Sequence, residues 1–414
     1  MFIDNQFLLL NKDTPILQFE SKYGMLGEVI LEETKYFEEN KPIGFVNIQD
    51  WLEHRRAPKH RKHIEKLLHE CGCDNLEGYI RVSYALNLND TFWVKPVDSN
   101  KCWNEVSLYR NPFNELISHI AFEGGLYGEQ FSTTSPEFTT EGAFAKCWIR
   151  EEDNINLVKG GSTGARNAGK EPYSEFYAAQ IANIICKKNV AYKMATYRNK
   201  IVSKCQLFTS EKEGFIPVYK LIRSHPQSDD LIKFYDSIGC LDDFRRMVVL
   251  DALIINDDRH LGNHGVLIDN DTQKILRMAP VFDHNQALLP YAEEEEFENI
   301  SEYLKMKGPR IGADFNLAAN AMLTPEIRAD LINLKGFKFQ KDGKYDLPND
   351  RLKHLEALIE KQIEGILHSK SLYIHRNDII GKDPGNLLQD NFKESKEIEK
   401  TKKETMKKKT KTSR

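Results

Sequence analysis

Apolar and polar positions change their rhythm along this chain. Residues 1–125 mix strand-like pieces with one stretch, Ile48 to about Cys71, in which Trp51, Leu52, Ile64, Leu67 and Leu68 share a face at helical spacing. That spacing predicts a helix. Arg55, Arg56, Lys59, His60, Arg61, Lys62 and His63 predict a solvated basic face on it. Asp90-Thr-Phe-Trp-Val-Lys95 reads as a short strand. Alternation returns over residues 144–159, with Phe144, Lys146 and Trp148, a polar turn at 150–156, and then Leu157-Val-Lys159, which predicts a β-hairpin. A glycine-rich loop, Gly160 to Gly169, follows. Pro172-Tyr-Ser-Glu-Phe176 then opens a helix to about Lys188, with Ser174 as its N-cap and Tyr177, Ile181, Ile184 and Ile185 as its apolar stripe. Strand-like segments continue to about Ile222. Beyond that the signals turn mainly helical, most clearly at 242–255, 325–334 and 350–369. The chain is thus read as a small strand-rich unit followed by a larger helical one.

The boundary between those halves holds the richest chemistry. Leu250-Asp-Ala-Leu-Ile-Ile-Asn-Asp-Asp-Arg-His-Leu-Gly-Asn263 is an apolar helix ending in an acidic loop. Asp258 and Asn263 have the D-x-x-x-x-N spacing of a kinase catalytic loop. The carboxylate orients an attacking hydroxyl and accepts its proton. The amide oxygen reaches a metal on the phosphates, and a hard cation such as magnesium prefers oxygen ligands. A second hairpin follows, with Gly265-Val-Leu-Ile268 as one strand, a turn at 269–272, and 274–281 as the return. It delivers Pro280-Val-Phe-Asp283, and Asp283 becomes the second candidate ligand. Asp257 adjoins Asp258, but only one of the two is expected to face the hydroxyl. His260 is either an ordinary loop residue or a brace of the catalytic loop.

Composition narrows the classes. The chain has 414 residues, 40% hydrophobic and 29% charged, enough for two or three domains and a sizeable core. No window approaches eighteen apolar residues, and the N-terminus has no basic region or cleavage site of a secretory signal, so no membrane contact is expected. Seven scattered cysteines with no CxxC pair point to free thiols in a reducing cytoplasm. Cys71-Gly-Cys73 lacks a second cluster that would complete a metal site. Ten basic and four acidic residues between Lys393 and Arg414 give that tail +6 of the net −4, so the remainder carries −10. Such a tail is expected to be solvated, with contact to nucleic acid as the functional alternative. Gly164-Ala-Arg-Asn-Ala-Gly-Lys170-Glu171 nearly fits a Walker loop, but Glu171 stands where the magnesium-binding hydroxyl belongs, so a mobile connecting loop is expected.

The stretch Asn256-Asp-Asp-Arg-His-Leu-Gly-Asn-His-Gly265, with Ala279-Pro-Val-Phe-Asp283, resembles the C-terminal domain of HipA-type serine/threonine kinases, bacterial toxin-like enzymes with a protein-kinase-related fold. The resemblance covers roughly residues 130–375. It implies an α+β, two-lobed protein-kinase-like fold, with a small β-rich N-lobe at 126–222 and a larger helical C-lobe at 223–385. An extra N-terminal α/β region at 1–125 and a lysine-rich tail at 386–414 complete the division. It implies that ATP and Mg2+ are the cofactors, that Asp258 is the base with His260 beside it, and that Asn263 and Asp283 bind the metal. Phe138-Thr-Thr-Glu-Gly-Ala-Phe-Ala-Lys146 resembles the phosphate-facing loop and the strand that leaves it, which brings in Gly142 and Lys146. Lys159 matches the lysine that contacts ATP phosphates. Glu175 matches an acid that opens the next helix, where it either pairs with Lys159 or complements the helix dipole. The Ser132-Thr-Thr-Ser135 cluster falls where such kinases can autophosphorylate. The implied partners are a protein substrate, possible in translation, and an antitoxin, although 1–125 does not match the antitoxin-engaging domain. Two alternatives stand beside this reading: a lipid or small-molecule kinase on the same fold, and a non-catalytic nucleic-acid-binding regulator.

Overall fold

Alternating apolar residues at the start of the chain build an antiparallel sheet. Strands β1 (Gln6–Asn11), β2 (Thr14–Tyr23), β3 (Val29–Tyr36) and β4 (Phe92–Pro96) lie in the order β3-β2-β1-β4. In this computed structural model the described residues are 5–38, 40–57, 68–69, 71, 73–124, 135–140, 144–222 and 225–369. Phe7, Leu9, Leu17 and Phe19 face inward, the period-2 register of a sheet with one buried side. Helices α1 (Ile48–Glu53) and α2 (Leu76–Ser83) cover that side. Asn47 and Asn75 cap them, each accepting a backbone N–H with its side-chain oxygen.

The long basic helix expected over 48–71 does not form as one element. Helix α1 stops at Glu53, and the N–H of Ala57 is bonded to the carbonyl of Phe138 at 2.8 Å. Pro58 explains the break, because a proline disfavours helical backbone in the residue before it. Arg55 leaves the expected solvated face. It is buried, and its guanidinium grips both carboxylate oxygens of Asp90 at 2.7 Å and the carbonyl of Phe92 at 2.8 Å. Residues 58–67 of that stretch and the tail beyond 369 lie outside the described residues.

A second antiparallel sheet has the order β5-β6-β8-β7, from β5 (Lys146–Glu151), β6 (Asn154–Gly160), β7 (Tyr192–Tyr197) and β8 (Lys200–Gln206). The first pair is the expected hairpin, but its turn is only two residues, Glu152 and Asp153, with Glu152 at φ +52°. Helix α3 (Glu171–Ile185) begins earlier than Ser174. Lys170 holds the capping position, Pro172 sits in the first turn where its missing N–H costs nothing, and Ser174 lies inside. Tyr177, Ile181 and Ile185 are buried at i, i+4 spacing, while Ile184 is 44% exposed, off that stripe.

Strands β9 (Glu213–Pro217), β10 (Gly265–Asp269) and β11 (Ile275–Met278) form a third antiparallel sheet. Asp269 accepts backbone N–H bonds from Asp271 and Thr272 and so turns the hairpin. Gly265 is required at the start of β10, since a Cβ there would collide with the carbonyl of Ile216. Helix α4 (Leu241–Ile254) is buried nearly all round and packs against α3 and against α5 (Phe315–Ala321) and α6 (Asn349–His368). Sheets and helices segregated in this way make the fold α+β. Arg55→Ala should lower stability by about 3–5 kcal/mol, because it strands the buried Asp90 carboxylate. Denaturant unfolding checks this, and a loss under 1 kcal/mol would refute the role.

Candidate active site

Lys159 lies near the end of β6, a central strand, with Lys146 beside it on β5 and Ser203 beside it on β8. The side chain is buried. Its ammonium lies 2.5 Å from Glu175 Oε1, in the first turns of α3, and 3.0 Å from Asp283 Oδ1. Ser203 Oγ donates to the other oxygen of Glu175. Of the two roles open to Glu175, pairing with the lysine is the one seen. Burial works against the charge on Lys159, but Asp283 and Glu175 outweigh it and hold the ammonium firmly protonated. Burial also works against Asp283, yet Lys159 and then Lys146 keep its carboxyl well below the ordinary range. Burial pushes Glu175 up despite Lys159, with Asp283 adding to the push, so Asp283 is the more firmly ionised of the two acids.

The loop after α4 is shaped by its own polar groups. Ile255 ends the helix in left-handed backbone at φ +50°. Asp258 N–H then donates to Asn256 Oδ1 at 3.2 Å, and Asn263 Nδ2 donates to the Asp258 carbonyl at 3.0 Å. His260 is exposed, and its Nδ1 accepts from Gly262 N–H at 3.0 Å, a contact local to the loop. Asp258 is partly exposed. Burial raises its carboxyl above the ordinary value, His260 and Arg310 oppose this, and Asp283 and Asp257 add to it. Asp257 is engaged differently, with Lys307 Nζ 2.7 Å from its carboxylate.

Arg259, between Asp258 and His260 in sequence, is the residue that motif spacing missed. It is 1% exposed. Nε and Nη2 donate to Asp251 on α4, at 3.0 Å and 2.9 Å for the closest contacts, and Nη1 donates to the carbonyls of Asn263 and Phe282. One guanidinium thus ties the helix, the loop and the Asp283 segment together. Asp283 itself has φ +59°, a conformation L-residues avoid, and its N–H is held 3.1 Å from the Tyr192 hydroxyl. An unpaired polar residue in an apolar helix, Asp251, was the one available signal for Arg259.

The other expected residues divide. Gly142 lies outside the described residues, as do Ser132, Thr133 and Thr134. Ser135 is buried and accepts from Glu137 N–H. The near-Walker loop is tied down: Asn167 donates to the Tyr291 carbonyl at 2.6 Å, and the Tyr291 hydroxyl donates to Glu171 at 2.8 Å. Glu171 is buried, which no phosphate-cradling role requires. Among the described residues no three His, Cys, Asp or Glu side chains gather as a metal cluster.

No family model matches the chain. In sequence it is similar to the serine/threonine-protein kinase CtkA of Helicobacter pylori strain J99, 29% identical over 154 residues, which are 34% of this chain and 47% of CtkA. The chain thus spans about half the length of that curated relative. Among solved structures, a crystal structure of a Helicobacter pylori proinflammatory kinase CtkA is 18% identical, with a TM-score of 0.41, over 54% of this chain and 90% of that one. The toxin–antitoxin protein HipA of Shewanella oneidensis MR-1, solved with HipB and its operator DNA, is 10% identical, with a TM-score of 0.47, over 91% of this chain and all of that one. The sequence likeness is thus to a serine/threonine-protein kinase, over a 154-residue stretch of the chain.

His264, next to Asn263, supplies a check on this packing. Burial holds its imidazole down to about 3 from an ordinary 6.5, and Tyr235 OH lies 2.8 Å from its Nδ1. A base with a depressed folded pKa contributes stability above its unfolded pKa and loses it as pH falls. Stability should therefore decline between pH 6.5 and about 3. His264→Gln should flatten that decline in denaturation curves at stepped pH, and an unchanged slope would exclude this histidine as its source.

Proposed function

We propose that this chain is an ATP- and magnesium-dependent serine/threonine protein kinase, transferring the γ-phosphate to a protein hydroxyl. The observation that carries the reading is Lys159, set between Glu175 and Asp283, in a chain whose acidic loop carries Asp258 and Asn263 at catalytic-loop spacing. A lysine–helix-acid pair together with a metal-binding Asp is the arrangement protein kinases use for phosphoryl transfer. The same reading divides the chain into an accessory region at 1–125, an N-lobe at 126–222, a helical C-lobe at 223–385 and a tail at 386–414. The seven free cysteines fit a reducing, cytoplasmic setting.

The residues present fit the two cofactors. Asn263 spends its amide nitrogen on the Asp258 carbonyl, which leaves the amide oxygen as a donor for a cation. Asp283 spends Oδ1 on Lys159, which leaves Oδ2. One carboxylate and one amide suit magnesium, which is usually bound through one or two carboxylates plus phosphate oxygens and water. Bound magnesium would neutralise phosphate charge. Lys159 would steady the nucleotide as a point charge, with Glu175 fixing its position. Lys146 would add a second positive charge on the same sheet face. Asp258 would orient the acceptor hydroxyl and take its proton at a carboxylate oxygen. Catalysis then comes mainly from positioning and charge neutralisation. A role in restraining growth or translation, and an antitoxin partner, belong to the same proposal.

Incubation of the full chain with ATP, magnesium and cell lysate, followed by mass spectrometry, tests the reading. It should yield phosphorylated Ser or Thr in protein, and phosphate on lipid or small molecules alone would reject the protein-kinase assignment. Asp258→Ala should lower transfer by about 10²–10⁴-fold with nucleotide binding retained; turnover like wild type would reject Asp258 as the base. Asp283→Ala should weaken magnesium–nucleotide binding by calorimetry, and unchanged affinity would remove it from the metal site.

A further inference from the structure

Beside the catalytic loop lies a short segment, Lys307-Gly-Pro-Arg310, that the nucleotide side of the site does not use. Lys307 places its ammonium 2.7 Å from Asp257 Oδ2, with both side chains largely covered. Arg310 donates Nε to the backbone carbonyl of Asp257 at 3.1 Å. The segment is thus fastened twice to the residue preceding Asp258. The rest of the Arg310 guanidinium is less engaged. The side chain is 60% exposed, and Nη2 lies 3.6 Å from Asp258 Oδ1, beyond hydrogen-bond length. It is a tethered cation with open donors, next to the carboxylate assigned as base.

We propose that Arg310 reads the acceptor, binding a carboxylate carried close to the phosphorylated hydroxyl of a protein substrate. This deepens the kinase reading above and rests on it. An acceptor hydroxyl must come within hydrogen-bond reach of Asp258, so its neighbouring residues come within reach of Arg310. Asp257 does not compete for the free Nη donors, because Lys307 already neutralises its carboxylate. A carboxylate offers two oxygens to the planar donor fork of an arginine, a geometry that a lysine could not match. On pairing, the guanidinium gives up its attraction to Asp258 and leaves that carboxylate to the incoming hydroxyl. A neutral acceptor leaves the Arg310–Asp258 attraction in place, and a basic one meets like charge.

The test uses the full chain with ATP, magnesium and three peptides that differ only in Glu, Gln or Lys beside a single serine. KM should rise roughly fivefold from the Glu to the Gln peptide, the size of an exposed ion pair, and further for Lys. The KM for ATP should stay constant. Arg310→Glu should reverse the ranking in favour of the Lys peptide, and Arg310→Lys should keep the preference for Glu in weaker form. Because the side chain is exposed, melting curves of these variants should match wild type. An unchanged ranking in Arg310→Glu, or an equal loss on all three peptides, would overturn the proposal. Fluorescence anisotropy of the same peptides separates its failure from that of the kinase reading. A charge-reversed ranking of affinities supports the Arg310 contact even in a chain that transfers no phosphate, and a flat ranking sinks it whatever the activity.

Discussion

Lys159 carries a full positive charge in a place water scarcely reaches, and two carboxylates from distant parts of the chain share it. Removing one charged group from water costs several kcal/mol, repaid only when the partners are close and otherwise satisfied. Ser203 on Glu175, and the Tyr192 hydroxyl near the backbone of Asp283, supply that satisfaction. The arrangement binds β6, α3 and the segment after β11 into one unit. One cation against two acids leaves a negative excess, and Lys146 on the neighbouring strand lies where its charge offsets it.

Arg259 does the corresponding work on the other side. Its five donors are divided among Asp251, Asn263, Phe282 and the neighbourhood of His284. It therefore fixes the acidic loop and the Asp283 segment to the same helix. The left-handed backbone of Ile255 and Asp283 is costly for side chains with a Cβ and persists where surroundings over-determine it. Here the surroundings are that guanidinium and the Tyr192 hydroxyl. The geometry of the acids thus rests on two buried cations, Lys159 between Glu175 and Asp283 and Arg259 wholly internal.

Much of this was legible beforehand. Alternation marked the β5–β6 and β10–β11 hairpins, and apolar periodicity marked α4 and α6 to within a residue or two, because those elements bury faces that the period itself defines. The errors have local causes. A helix was expected through 48–71 on the strength of its apolar spacing, but one proline outweighs many weak preferences. Arg55 was expected in solvent, since periodicity assigns faces and not partners, and its partner Asp90 is 35 residues away. Ser174 looked like a cap by residue type, yet Lys170 holds that position and Ser174 lies inside the helix.

The candidate site divides along the same line. Spacing within a short stretch determined that Asp258 and Asn263 belong together, because five residues of loop leave few ways to arrange them. It also determined that Asp283 follows a hairpin. Local sequence could not show that Glu175 turns to Lys159 when the helix dipole offered it an equal use. It could not show that Asp257 pairs with Lys307, or single out Arg259 and Arg310. Those outcomes depend on charges meeting across 8 to 124 residues of chain, and a buried or tethered charge takes its role from the partner that folding brings to it. Only the tertiary structure supplies that partner.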